Sequence, residues 1–413
     1  MTLNPSAPQQ NVPSPAQAPQ NPQNPQNPQN PGGGEHPIEP ARRNRARYLL
    51  VGGFRGAGKT TAVAALAHHF TGLGLRVGLI TNDQGSELVD TTMLRAKGFQ
   101  TEEIPGGCFC CRFNSLVDAA TKLTEATLPD LFIAEPVGSC TDLVATVTYP
   151  LRRMYGDRFA IAPLSVLVDP VRAERIFGLS EGGKFSEKVL YIYRKQLEEA
   201  DLIILTKSDL LDAPRLEALR AAIAAAYPQA RIHAVSVREG RGLAPWIADL
   251  DSGEQTPRAA MAMDYAIYAE GEALLGWLNA TLQLEAPEGF DSGALLRELA
   301  GAIRDALGEA QIAHLKMTLS PEGGLGDIAV VNLVRNDFVP ELSLTLEQPV
   351  VRGQLILNLR AETDPETLRN AVTEAVAALA QKPGGPTAVV EHLEHFRPGK
   401  PQPTHRDLGP ALG

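Results

Sequence analysis

The sequence predicts an α/β protein, with a doubly wound, mainly parallel sheet followed by a smaller α+β domain of ferredoxin-like order. Three observations lead there. Short apolar runs alternate with helical patterns from residue 48 to about residue 250. A glycine-rich loop joins the first of these runs to the first helical pattern. Beyond about residue 258 the pattern changes to strands interrupted by amphipathic helices.

Residues 1–45 are rich in Pro, Gln and Asn, with Gln-Asn-Pro repeated from Gln20 to Pro31. Such a segment buries too little apolar surface to offset its ordering entropy, so a disordered tail is expected. The first domain is expected over 46–258. Residues 48–51 form an apolar run closed by Gly52-Gly53, which reads as a buried strand. Residues 60–73 have helical spacing through Val63, Leu66, Ala67 and Phe70. Further strands are expected at 76–81, 131–134, 164–168, 202–205 and 232–235, with helices at 116–123 and 215–226. The second domain is expected over 259–396. Strand-like runs at 266–284 precede an amphipathic helix at 292–307. Strands follow at 314–319, 327–334 and 342–359, then a helix at 365–379 capped by Asp364, then a strand at 388–396. The order β-α-β-β-β-α-β matches an extended ferredoxin-like sandwich. Residues 397–413 read as an irregular tail.

The formal net charge of −10 argues against bulk binding to nucleic acid or anionic membrane. No apolar run approaches the roughly 18 residues a membrane helix needs. No basic, apolar leader opens the chain, so a cytoplasmic location is expected. All four cysteines lie between Cys108 and Cys140. Clustered thiols point to metal or redox chemistry in a reducing compartment, not to a disulfide framework.

Gly53-Phe54-Arg55-Gly56-Ala57-Gly58-Lys59-Thr60 fits G-x-x-x-x-G-K-[ST] between a strand and a helix. Gly53, Gly56, Ala57 and Gly58 let the backbone aim N–H groups at phosphates, aided by the helix N-terminus. Lys59 is expected at the β- and γ-phosphates. Thr60 is expected on Mg²⁺, with Thr61 beside it. Arg55 reads as a solvated side chain. Thr206-Lys207-Ser208-Asp209 follows a strand and resembles the N-K-x-D guanine motif, with Thr206 in place of Asn. Asp209 would accept from guanine N1 and its exocyclic amine, which adenine cannot match. Lys207 would lay its stem on the base, and Ser236 would face it from the next loop. The bound nucleotide is therefore expected to be GTP.

Gly106-Gly107-Cys108-Phe109-Cys110-Cys111 supplies soft ligands suited to Zn²⁺ or Co²⁺. Asp83 and Glu87 are candidates to complete the site, while Cys140 reads as a packed thiol. Glu135, at a strand end beside the loop, is a candidate to orient Mg²⁺ or water. Asp83 is expected to act similarly, so the catalytic set is Lys59, Glu135 and Asp83. His392 and His395 lie an odd number apart on a strand and should face opposite ways.

In this order the P-loop, C-x-C-C, E-x-x-G (Glu135 to Gly138) and K-x-D motifs resemble the CobW-type GTPases, over about residues 48–250. Departures are Asn82-Asp83-Gln84-Gly85-Ser86 with Glu87 one place late, Pro136 for Thr, and no His-rich stretch. The resemblance implies GTP hydrolysis coupled to delivery of a transition metal to a client metalloenzyme or cofactor-assembly protein, and is compatible with a homodimer. Two alternatives stay open: an activator or assembly factor for a metallo- or corrinoid-dependent enzyme with structural cysteines, and an ATP-using P-loop kinase.

Overall fold

A buried eight-residue strand, β1 (Ala46–Gly53), is the first element of the described residues and forms the centre of the first sheet. The computed structural model describes residues 45–82, 89–324 and 326–409, which belong to one compact unit, Arg42–Gly413. The expected tail before residue 45, and Asp83 and Glu87, lie outside the described residues.

From β1 the chain runs through α1 (Lys59–Gly72), β2 (Val77–Asn82), α2 (Val89–Ala96), β3 (Thr101–Ile104), α3 (Phe113–Thr127) and β4 (Leu131–Glu135). A π-helical turn, Val144–Thr148, leads into α4 (Tyr149–Tyr155), β5 (Phe159–Ile161), β6 (Ser165–Val168) and α5 (Pro170–Ile176). Next come α6 (Glu187–Glu199), β7 (Leu202–Leu205), α7 (Ala213–Ala226), β8 (Arg231–Ala234) and α8 (Leu243–Ser252). The strands make an eight-stranded sheet in the order β3-β2-β4-β1-β6-β7-β8, with β5 also on β1. Every pairing is parallel. Two apolar cores cover the sheet, one holding α1 and α8, the other α3 and α6. The strand order reverses direction around β1, which places the loops after β1 and β4 at a switch-point crevice.

The second half begins with a correction. Residues 266–284 are not all strand: α9 (Tyr265–Leu274) precedes β9 (Leu275–Phe290). Asp264 caps this helix, accepting from the N–H groups of Ala266 and Ile267. Gly271 lets it approach α6 so closely that a Cβ there would collide with the Lys188 carbonyl. An apolar run of this length is ambiguous between strand and helix, and packing decides it. Then follow α10 (Ser292–Leu307), β10 (Gln311–Pro321), β11 (Ala329–Leu333), β12 (Glu341–Leu344), β13 (Val350–Glu362), α11 (Pro365–Ala380) and β14 (Thr387–Phe396). The expected long strand at 342–359 is two, β12 and β13. These strands form a six-stranded antiparallel sheet, β12-β11-β10-β13-β9-β14. Helices α10 and α11 bury Leu296, Leu299, Ile303, Leu368 and Val372 in a common core on one face. The other face carries buried polar side chains, among them Asn279, His314, Thr318, Asn358 and Arg360. That face meets the first sheet's loops: Arg172 of α5 donates to the carbonyls of Arg55 and Val334.

Candidate functional site

The P-loop geometry follows from its glycines. Gly56 and Gly58 have φ of 78° and 82°, left-handed values that side chains resist. Gly53 packs so tightly on β6 that a Cβ would strike the Leu167 backbone, so its role here is close packing. Helix α1 begins at Lys59 with no side-chain cap, leaving its first turn open to an anion. The loop borders a cavity of about 340 Å³. Gly56, Gly58, Lys59, Thr60, Thr61, Glu135, Thr206, Lys207 and Asp209 all line it. Ala57 is buried behind the loop, and its carbonyl accepts from Thr206 Oγ1 at 2.8 Å. Thr206 thus fastens β7 to the loop. Ser236 is fully buried and accepts from the Glu239 N–H; Val237 and Arg238 line the cavity in its place.

Thr60 shares its hydroxyl between Asp90 Oδ1 at 2.7 Å and Glu135 Oε1 at 3.0 Å. Glu135 Oε2 is buried without a partner among the described residues. Such an orphaned oxygen, beside a hydroxyl and a second carboxylate, fits a hard divalent cation or its water. Burial pushes the Glu135 carboxyl up to about 7, helped by the charge of Asp90 and opposed by Lys59. Burial also brings the Lys59 ammonium down to about 8, against the pull of Glu135. Asp90 behaves differently. Burial would raise its carboxyl, but the charge and hydrogen bonds of Lys316, with Thr60, hold it below the usual range.

At the other end of the cavity, Lys207 Nζ donates to Gly56 O and to Asp169 Oδ2, both at 2.9 Å. Asp169 also caps α5 through the Arg172 N–H and takes Arg335 Nη1 at 2.9 Å. Burial alone would raise this carboxyl; Lys207, Arg335 and Arg172 together hold it well below. Arg55 corrects its expected solvation. It is buried, donates to Ser139 Oγ at 2.8 Å, and stacks on Trp277 of β9. Gly138 permits this, since a Cβ there would meet Arg55 at 2.8 Å.

The thiols converge. Cys108 Sγ lies 2.8 Å from Cys110 Sγ and 2.9 Å from Cys111 Sγ, and the last two are 3.7 Å apart. Sulfurs around tetrahedral zinc sit about 3.8 Å apart, so spreading by about 1 Å admits the ion. Cys140 also hydrogen-bonds Cys108. Hydrogen bonds with Cys110, Cys111 and Cys140 hold the Cys108 thiol well below its usual range, while the contacts with Cys108 and burial push the Cys110, Cys111 and Cys140 thiols up, so thiolate character centres on Cys108. The turn is held by Asn82, which donates to the Gly107 carbonyl. It is also covered by the C-terminal segment: Gln402 N–H reaches Cys111 Sγ at 3.2 Å, and Thr404 N–H donates to Cys110 O at 2.8 Å. Residues 397–409 contain no helix or strand, yet they are fastened in place. Among the described residues these three cysteines are the group with metal-holding geometry. His392 and His395 pair with Thr281 and Leu278 of β9 and form no such group.

Sequence reasoning missed the cavity's second wall. His314 and Lys316 of β10, Asn332 of β11 and Glu341 of β12 line it from the antiparallel sheet. Nothing local marks a polar position on an antiparallel strand as facing a site and not solvent.

The sequence model of the CobW/HypB/UreG nucleotide-binding domain matches residues 47–234. The match to known proteins lies largely in this part. The chain is 31% identical over 201 residues to the zinc chaperone CobW of a Sinorhizobium species, covering 44% of this chain and 56% of that one. It is 32% identical over 168 residues to the zinc chaperone YeiR of Escherichia coli K12, covering 40% and 47%. The chain spans about half the length of the curated relatives it matches. Among solved structures, Zn(II)-bound YjiA GTPase from E. coli aligns over 81% of this chain and 99% of that one, with 15% identity and a TM-score of 0.36. The P-loop fold itself rests on the parallel strand order around the loop. Among the described residues no helix is long and apolar enough to cross a membrane.

Proposed function

We propose that this protein binds GTP with Mg²⁺, hydrolyses it to GDP and phosphate, and couples the cycle to capture and release of zinc for a client metalloenzyme. The stretch from Glu135 to Cys140 carries the proposal. At one end Glu135 meets Thr60 in the P-loop cavity. In the middle, Gly138 and Ser139 pack against and hydrogen-bond Arg55 of the loop. At the other end Cys140 touches Cys108 of the thiol cluster. In this reading a change in what Thr60 and Glu135 hold reaches the sulfurs along this one short segment.

In this reading Lys59 and the open turn of α1 hold the phosphates, while Thr60, Glu135 and Asp90 hold Mg²⁺, which offsets charge on the transferring phosphoryl group. Glu135 orients the attacking water through its buried second oxygen. Asp209 selects guanine, and Lys207, steadied by Asp169, flanks the base. Cys108, Cys110 and Cys111 take the metal. Zinc is favoured because the relatives carry the name zinc chaperone; cobalt is the second metal to titrate.

The test is zinc affinity in the presence of GppNHp, of GDP and of no nucleotide, alongside GTP turnover. A triple C108A/C110A/C111A variant should lose zinc and retain GTP binding. Equal zinc affinity in all three nucleotide states would remove the delivery cycle and leave the activator reading with structural cysteines. Equal displacement of labelled GTP by ATP would remove the guanine assignment.

A further inference from the structure

Two cations that the P-loop motifs do not supply line the P-loop cavity, Arg238 and Lys316; of these, Lys316 reaches Asp90 beside Thr60. Lys316 projects from β10 of the antiparallel sheet, and its Nζ lies 2.6 Å and 2.7 Å from the two oxygens of Asp90. Asp90 Oδ1 is in turn 2.7 Å from Thr60 Oγ1, the hydroxyl that P-loop proteins give to Mg²⁺ beside the β- and γ-phosphates. The Lys316 ammonium thus stands one carboxylate away from the place where a terminal phosphate would lie. It is mostly shielded, with 18% of its side chain exposed.

Two residues earlier on the same strand, and so on the same face, His314 also lines the cavity. It is buried, and its Nε2 has no hydrogen-bond partner among the described residues. A buried polar atom of this kind, aimed into a cavity beside a lysine, marks a wall built for a polar occupant. On the facing side Lys59 and the α1 N-terminus supply the usual positive charge. The cavity is therefore positive on both walls at its phosphate end, with Asp90 and Glu135 between them.

When Mg²⁺ engages Thr60, Asp90 loses its hydroxyl partner, and the incoming triphosphate brings more negative charge than one aspartate offers. An ammonium is a compact point charge on a flexible stem and can swing to the stronger anion. A diphosphate lacks the oxygens that would draw it.

We propose that Lys316 reads the γ-phosphate: it rests on Asp90 when no triphosphate is bound and turns to the terminal phosphate when one is, so that the antiparallel sheet distinguishes GTP from GDP. This rests on the triphosphate reading above. It adds a residue from outside the P-loop domain, and it makes β10 the element through which nucleotide state reaches the C-terminal half.

The experiment compares wild type, K316M and K316R for binding of Mg²⁺ with mant-GppNHp and with mant-GDP. A charge-assisted contact to phosphate is worth about 1.5–3 kcal/mol, roughly tenfold or more in affinity. K316M should lose about tenfold or more for mant-GppNHp and stay within about threefold for mant-GDP, while K316R retains the discrimination. Equal loss for both nucleotides would make Lys316 a structural clamp for Asp90 and overturn the proposal, as would no loss for either. If wild type binds neither probe, the nucleotide reading itself fails. Should K316M not fold, ¹³C-dimethylated wild type replaces it: the lysine resonance missing from K316R should shift with GppNHp and hold still with GDP. A resonance that ignores GppNHp overturns the proposal.

Discussion

Replacing Trp277 by Leu should uncouple the P-loop from the antiparallel sheet and cost much of the protein's stability. The indole is fully buried. The guanidiniums of Arg55 and Arg360 both lie over it, each 4.2 Å from a ring centroid, and Phe396 packs at 5.6 Å. Each desolvated cation–π contact is worth about 2 kcal/mol. Truncating a buried Trp adds a cavity cost of about 3–5 kcal/mol. These contributions overlap, so W277L is expected to lose about 4–7 kcal/mol, a large part of the 5–15 kcal/mol typical of a folded domain. W277F keeps an aromatic face and should lose about half as much. The specific claim is the coupling to Arg55, because that contact ties the phosphate loop to β9. A double-mutant cycle of W277L and R55M, each of which removes the stacking, read by urea denaturation with far-UV circular dichroism, should give a coupling of about 1–2 kcal/mol. A coupling below about 0.5 kcal/mol would mean that the stacking carries no energy and that polar contacts such as that to Ser139 hold Arg55.

Three further outcomes are expected. D209N should shift nucleotide preference from GTP toward xanthosine triphosphate; unchanged GTP affinity by competition would remove Asp209 from base recognition. Burial pushes the Glu199 carboxyl up to about 8, against hydrogen bonds from the Val144 N–H and Thr141 Oγ1. A carboxyl raised in the folded state holds a proton that the unfolded chain releases, so wild-type stability falls as pH rises between the two values. E199Q does not titrate, so it should gain on wild type by up to about 1.4 kcal/mol per pH unit between pH 5 and 8; a flat or opposite trend in paired urea melts would refute this. Deleting residues 399–413 removes the Gln402 and Thr404 contacts to the cysteine turn, so Cys111 should react several-fold faster with Ellman's reagent; an unchanged rate would show that the segment shields nothing.

The local motifs were legible because each is a contiguous string whose geometry its own residue types impose. Gly56 and Gly58 demand left-handed backbone, and Lys59 and Thr60 follow at the start of a helix. Cys108, Cys110 and Cys111 converge because a single turn holds them. The parallel sheet was legible from β-branched and leucine runs such as 202–205. Short or charged elements were not: β3 reads Thr-Glu-Glu-Ile at the sheet edge and gives no apolar signal, and α9 was hidden in an apolar run that its packing on α6 resolves as helix.

By itself, then, the sequence determined the phosphate loop, the thiol turn and the alternation of parallel strands and helices in the first half. Only the tertiary structure decided that Arg55 is buried under Trp277, that Asp90 meets Thr60, and that residues 402–404 cover the cysteines. It alone brought His314 and Lys316 to the P-loop. The reason is physical: a polar face on an antiparallel strand alternates in the same way whether water or a second sheet lies across it. What faces Lys316 is set by contacts between residues more than two hundred positions apart, and no local pattern records them.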